Sequence, residues 1–373
     1  MLPTPDETTR AQRRGTVLST ALLALVLAFA SACSGERADS TTPGASGDTV
    51  RLQGAGATFP NPLYQKWLSE YGKVNPKAKI DYQSIGSGGG IQQIQSETVD
   101  FGASDAPLSD DDLKKAPGEL LHIPTVLGAV VITYNLPNVT TPLRFSPEVI
   151  ADIFLGRIKK WNDARIAADN PGVTLPTTDI AVVHRSDGSG TTAVFTDYLA
   201  KVSPAWKTKP GAGKSIDWPV GIGGKGNEGV AGQVKNTPNT IGYVELAYAV
   251  QTKLPVALVK NKAGNFVEPS LDAVTAAAAE SLPATPEDLR VSITDASGAS
   301  AYPISSYTYI LVYKDQKDAA RGKALVDFLW WSIHDGERFA KDLQYAPLPA
   351  QIVERASAKL NSITSGGKTL RGA

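Results

Sequence analysis

Three times in this chain a short apolar run ends in a cluster of glycine and hydroxyl residues and resumes with apolar residues at helical spacing. The segments are Gly54 to Pro62 before Leu63, Tyr64 and Trp67, then Ser84 to Gly90 before Ile91 and Ile94, and His184 to Thr192 before Ala193, Val194 and Phe195. A strand that turns through glycine into a helix is the unit of parallel α/β folds. The same unit leaves the first N–H groups of each helix without an acceptor, at the positive end of the helix dipole. Three such turns aimed at one point would make an oxyanion pocket.

The rest of the chain extends the pattern. Strands are expected at about 49–53 and 78–83, with helices at 60–74 and 89–96. Leu121 to Tyr134 reads as a long strand that leaves the first unit. A second unit follows, with a helix near Pro147 to Leu155, a strand Ile180 to His184 and a helix Thr191 to Ala200. After a Gly/Lys-rich loop come a helix from Asn227 to Asn236 and a strand Thr240 to Glu245. The chain returns near Tyr302-Pro303-Ile304, making Tyr307 to Tyr313 a strand of the first unit and Ala319 to Ile333 a helix. At 373 residues two domains are affordable in size. Two α/β units joined by two crossings form a hinged cleft, a favoured place for a ligand.

The residues at the turns suit an anion. Arg185 is a forked, always-charged donor matched to tetrahedral oxyanions. Thr58, Ser87, Ser189 and Thr191 add hydroxyls. Asp105, in Asp100 to Leu108, is out of place beside an anion unless that anion carries a proton, because an ionised carboxylate only accepts hydrogen bonds. HPO₄²⁻ and H₂PO₄⁻ have such a proton; sulfate at neutral pH has none and would meet repulsion. The simpler role for Asp105 is to cap a turn beside Pro107.

Taken together, these segments closely resemble the substrate-binding protein of the bacterial phosphate-specific ABC transporter. The resemblance runs from near Val50 to about Pro349 and takes in Ile153 to Trp161, Trp218 to Asn227 and Ile241 to Glu245. It implies a two-lobed, type II-like periplasmic-binding-protein fold, with residues 49–130 and 305–373 as lobe I and 131–304 as lobe II. It implies that Thr58 and Phe59 offer a hydroxyl and backbone N–H groups, and that Ser87 offers both. Asp105 would accept the phosphate proton. Arg185 would be the one cation on phosphate, its fork held by Asp187. Ser189, Gly190 and Thr191 would donate from the third helix start. His184, Ser186 and Gly88 stand where the family often has Arg, Ala and Ser; none removes a proposed ligand. The implied partners are inorganic phosphate and the membrane permease subunits of the importer, with a monomeric, non-enzymatic chain that needs no cofactor and no metal.

Lys+Arg and Asp+Glu are both 37, so no basic surplus points to nucleic acid. Arg10, Arg13 and Arg14 precede the apolar stretch Val17 to Ala30, too short for a membrane span and read as the core of a signal peptide over 1–32. The single cysteine, Cys33, follows small residues and resembles a lipoprotein processing site. A palmitate-type lipid there would anchor the chain to the outer face of the cell membrane, with 33–48 as a flexible tether. Plain secretion remains the alternative.

Other readings are open at this point. Sulfate, molybdate or an organic phosphate could fill a similar cleft, and a sensor would look like a transporter component. A hydrolase could be built on Ser189, His184 and Asp187, but no G-x-S-x-G elbow is present. Gly213-Lys214-Ser215 has the end of a nucleotide-binding loop without its earlier glycine, and Gly221 to Gly226 reads as a tight connection. His122, His184 and His334 have no metal-ligand spacing.

Overall fold

The structure, a computed structural model, describes residues 49–371. The expected signal peptide, the tether and Cys33 lie outside the described residues. The chain opens as β1 (Val50–Gly56), α1 (Asn61–Val74), β2 (Ala78–Ser84), α2 (Ser87–Gln95), β3 (Phe101–Ser104) and the single turn α3 (Asp110–Leu113). β1 pairs in parallel with both β2 and β3, as the sequence pattern requires. Pro60 and Pro62 sit at the start of α1, where a missing N–H costs nothing, and Leu63, Tyr64, Trp67 and Tyr71 give the helix its buried face.

The helix α2 begins two residues before its expected start at 89. Glycine is a poor helix former, but packing decides here. A Cβ on Gly90 would lie 2.5 Å from the Gly56 Cα and 2.6 Å from the Ala55 carbonyl oxygen, so the helix rests directly on the backbone of β1.

The longest strand, β4 (Leu120–Asn135), joins two half-sheets. After it come β5 (Arg144–Phe145), α4 (Pro147–Phe154), α5 (Ala164–Asp169), β6 (Ala181–Arg185), α6 (Gly190–Val202) and α7 (Pro204–Thr208). Then follow β7 (Ile222–Gly224), α8 (Gly226–Asn236), β8 (Thr240–Glu245) and α9 (Leu246–Thr252). The short β9 (Leu258–Lys260) and β10 (Phe266–Val267) form a small sheet with β5 and precede α10 (Leu271–Ser281). The chain closes with β11 (Ser305–Tyr313), α11 (Ala319–Ser332) and α12 (Ala350–Asn361).

The main sheet has the order β2-β1-β3-β11-β4-β8-β6-β7. It is mixed, which the strand–helix pattern alone did not announce. β11 runs antiparallel to both β3 and β4, and β8 runs antiparallel to β4. β4 changes partner in mid-course: Ala129 faces Ser305 of β11, and Val130 faces Glu245 of β8. Every residue from Leu120 to Tyr134 is buried, because both faces of this central strand are covered. Beside the half-sheet of β1 and β2, Tyr71 packs against Phe328 and Trp331. The half-sheet of β8 and β6 gathers Phe154, Phe195, Trp218 and Tyr243.

Candidate functional site

The three glycine-bearing turns meet. The start of α6 abuts the start of α2 and the end of β3 so closely that a Cβ on Gly190 would stand 2.4 Å from the Ser87 Oγ and 2.5 Å from the Asp105 Oδ2. Beside them the Gly88 N–H donates to the Gly188 carbonyl at 2.8 Å, locking the second turn onto the third. The turn before α1 joins through Asn227, whose Nδ2 donates to Thr58 Oγ1 at 2.8 Å and to Thr191 Oγ1 at 3.1 Å. Thr58, Phe59, Ser87, Asp105, Arg185, Ser189, Gly190 and Thr191 thus form one buried cluster.

Arg185 is 3% exposed and held rigidly. Its Nε donates to Asp187 Oδ1 at 2.8 Å and its Nη2 to Oδ2 at 2.5 Å, the fork-to-fork geometry expected of this pair. Nη1 donates to Thr191 Oγ1 at 3.3 Å. Two of the five guanidinium protons remain for a ligand. Asp187 also accepts from the Gly226 N–H at 3.0 Å, so it is tied from two directions. Although burial opposes it, the hydrogen bonds from Arg185 keep its carboxyl below the ordinary range.

The hydroxyls are arranged by what they accept. Thr58 Oγ1 accepts from Asn227. Ser189 Oγ caps α6 by accepting from the Thr192 N–H at 2.9 Å. Thr191 Oγ1 accepts from Arg185 and Asn227. Each has an N–H donor on its lone pairs and its own proton unspent. Gly190 and Thr191 open α6, and Ser87 opens α2, so their backbone N–H groups have no intrahelical acceptor.

Asp105 is a second carboxylate against this donor cluster, beside Asp187. It is 1% exposed. Thr308 donates to its Oδ1 at 2.9 Å, and Ser87 to its Oδ2 at a long 3.5 Å. Burial pushes its carboxyl up to about 7, against the pull of Thr308 and Arg185. Turn capping by Asp105 is thus not what the side chain does: its oxygens point to side-chain hydroxyls.

Three successive carbonyls of the first turn are pinned from outside. Tyr82 donates to Ala57 O at 2.6 Å, Tyr248 to Thr58 O at 2.5 Å and Tyr345 to Phe59 O at 2.6 Å. These tyrosines come from β2, α9 and the chain beyond α11. With the carbonyls held outward, the orientation of the Thr58–Phe59 peptide is fixed.

Sequence reasoning missed part of the cluster. Asn227 was visible only as the last residue of a longer motif, and Thr308 and the three tyrosines carried no local signal. The glycine cluster Gly221 to Gly226 is more than a connection: it forms the edge strand β7 and then starts α8, which delivers Asn227. The other patterns dissolve. His184 stacks on Trp218 at 4.8 Å and its Nδ1 meets the Arg185 carbonyl, away from Ser189, so no triad is linked. Lys214 pairs with Asp112 at 3.1 Å, and no strand leads into Gly213-Lys214-Ser215.

Known proteins share this architecture. A family model for the PBP superfamily domain matches residues 40–335. The phosphate-binding protein PstS of Xylella fastidiosa (strain Temecula1) is 48% identical over 324 residues, covering 86% of this chain and 88% of that protein. PstS of Pasteurella multocida (strain Pm70) is 48% identical over 322 residues, covering 86% and 93%. Among solved structures, the phosphate-binding protein from Stenotrophomonas maltophilia matches with a TM-score of 0.65 at 22% identity, over 83% of this chain and 93% of that one, a likeness of fold. With nearly half its residues shared along most of its length, the chain belongs to the PstS family of phosphate-binding proteins within the PBP superfamily.

Proposed function

We propose that this chain binds inorganic phosphate, as HPO₄²⁻ or H₂PO₄⁻, outside the cytoplasmic membrane and hands it to the permease subunits of an ABC importer. It is a binding protein and not an enzyme. The observation that carries the reading is the arrangement of protons. Thr58, Ser189 and Thr191 accept from N–H donors and keep their own protons free, beside Arg185, whose fork Asp187 holds, and near the acceptor Asp105. In this reading Thr58, Phe59, Ser87, Arg185, Ser189, Gly190 and Thr191 donate to the anion, and Asp187 holds Arg185 in place. Asp105 accepts the ligand's proton. Sulfate brings no proton and is rejected. The relatives named as phosphate-binding proteins support the same ligand.

The switch of partner along β4 supports a division into lobe I, 49–130 with 305–373, and lobe II, 131–304. Closure of the two over the ligand would bury it against donors from both. A lipid on Cys33 would keep a monomeric chain at the membrane.

Calorimetric titration of phosphate-stripped protein with phosphate, then sulfate, near pH 7 tests the proposal. One-to-one phosphate binding without a sulfate response is expected. An equal response to both anions would remove the role given to Asp105, and silence toward both would remove the function.

A further inference from the structure

Glu245 ends β8 and is fully buried where β8 leaves β4. Its Oε2 accepts from the Ala247 N–H at 2.7 Å and lies 3.2 Å from the Tyr345 hydroxyl, while its Oε1 has no partner and borders, with the Phe59 ring, the space that a Cβ on Gly128 would fill. A phenol has one proton to give. Tyr345 spends it on the Phe59 carbonyl, at 2.6 Å the shorter contact. The contact with Glu245 then has no proton unless Glu245 supplies it.

We propose that Glu245 is a neutral carboxylic acid that donates its proton to the Tyr345 hydroxyl, making a relay, Glu245 to Tyr345 to Phe59, that positions the Thr58–Phe59 turn of the anion site. The proposal rests on the phosphate reading for its effect on binding, but not for the proton itself. The titratable groups acting on the carboxyl are Tyr345, which touches it, and Tyr248 from α9 and Asp105 just past β3, which act through space; none is a cation. From β4 Gly128 lies against Oε1, and from α8 the Asn227 Oδ1 accepts the Glu245 backbone N–H. Burial holds its carboxyl well above the usual range, and Asp105 adds to the effect. An ionised Glu245 would leave Oε1 carrying charge with no donor, and two acceptors, Oε2 and Oη, would face each other across 3.2 Å. A carboxylic acid kept neutral so that it can donate is a known use of an apolar site.

Glu245 touches no ligand in this account. It acts through Tyr345, and Tyr345 acts on a carbonyl whose peptide the Tyr248 and Tyr82 contacts also hold. The relay joins β8 to the turn before α1, so it also ties the two halves of the sheet at the anion site.

Infrared difference spectra of wild-type protein and Glu245→Gln at pH 8 test the proton. Loss of a protonated-carboxyl stretch in the variant is expected; loss of an ionised-carboxylate stretch instead overturns the proposal, whatever the protein binds. Phosphate titration tests the positioning. Tyr345→Phe and Glu245→Ala should each weaken binding tenfold or more, and wild-type affinity in folded Tyr345→Phe overturns the relay even if Glu245→Ala fails to fold. Absence of phosphate binding by wild-type protein removes the phosphate reading and the positioning role together, and leaves the infrared result to decide the proton.

Discussion

Gly190→Ala separates the role of the closed contact from the stability of the helix. The added methyl would stand 2.4 Å from Ser87 Oγ, 2.5 Å from Asp105 Oδ2 and 2.7 Å from the Asp105 backbone nitrogen. Side-chain tips can turn aside; the backbone nitrogen of Asp105, just past β3, cannot. Restoring an ordinary separation of about 3.5 Å requires a shift of roughly 0.8 Å between α6 and the end of β3. Hydrogen bonds from both sides to one small anion do not survive such a shift, since N–H donors work only to about 3.2 Å. Each bond to a charged group is worth roughly 1.5–3 kcal/mol. Losing two removes about 3–6 kcal/mol, on the order of 10²- to 10⁴-fold in Kd. Thermal unfolding without ligand reports separately what the same clash costs the fold, offset by at most about 1 kcal/mol of alanine's helix preference over glycine. The assay is calorimetry with phosphate, paired with thermal unfolding without it. A Gly190→Ala protein that binds phosphate within threefold of wild type would refute the claim that the two sides close on this glycine.

Asp105→Asn should lose discrimination against sulfate in competition titrations. It should also change the pH dependence of ligand-free stability. A carboxyl raised from 3.8 to about 7 stabilises fully below its unfolded value, and that contribution is lost as pH rises through about 7. Above that, wild type bears the cost of a buried carboxylate, at most about 4 kcal/mol for a shift near 3 units. Urea unfolding should therefore find the variant more stable at pH 8 and equal near pH 4; no difference at pH 8 contradicts the shift. Asn227→Ala removes donors to Thr58 and Thr191 and the acceptor of the Glu245 N–H. It should weaken phosphate binding at least tenfold and cost roughly 1–3 kcal/mol in denaturant titration; unchanged affinity takes Asn227 out of the site. Lys214→Gln breaks a partly buried ion pair to Asp112. Its effect on the phosphate off-rate in stopped flow should stay small, about 1 kcal/mol or less, and vanish in high salt.

Much of the fold was legible because its signals are local. Pro60 and Pro62 mark a helix start, Ser189 marks a cap, and the unbroken apolar run of β4 marks a strand covered on both faces. The site was legible where one turn holds several of its residues, as in Arg185 to Thr191. It was not legible where a contact depends on distance in the chain: nothing near Tyr345 announces a bond to Phe59, nor near Thr308 one to Asp105. The stretch from Leu246 to Ala301 also went unread. Its strands β9 and β10 are two or three residues long, and the alanines of α10 give little contrast between faces because alanine suits either. The antiparallel course of β11 had no signature of its own, since a buried strand reads alike in both directions.

The place of β11 also sets a timetable. It lies between β3 and β4, with Ile310 opposite both Ala103 and Ile123. A growing chain therefore makes the two flanking strands early and the strand that joins them nearly two hundred residues later. Until Ser305 to Tyr313 has been synthesised, the first half-sheet has a gap at its centre, and β4 can recruit only β8. Pairing over such separations is slow. The first half-sheet is consequently kept from premature closure by its own connectivity until the last quarter of the chain is made.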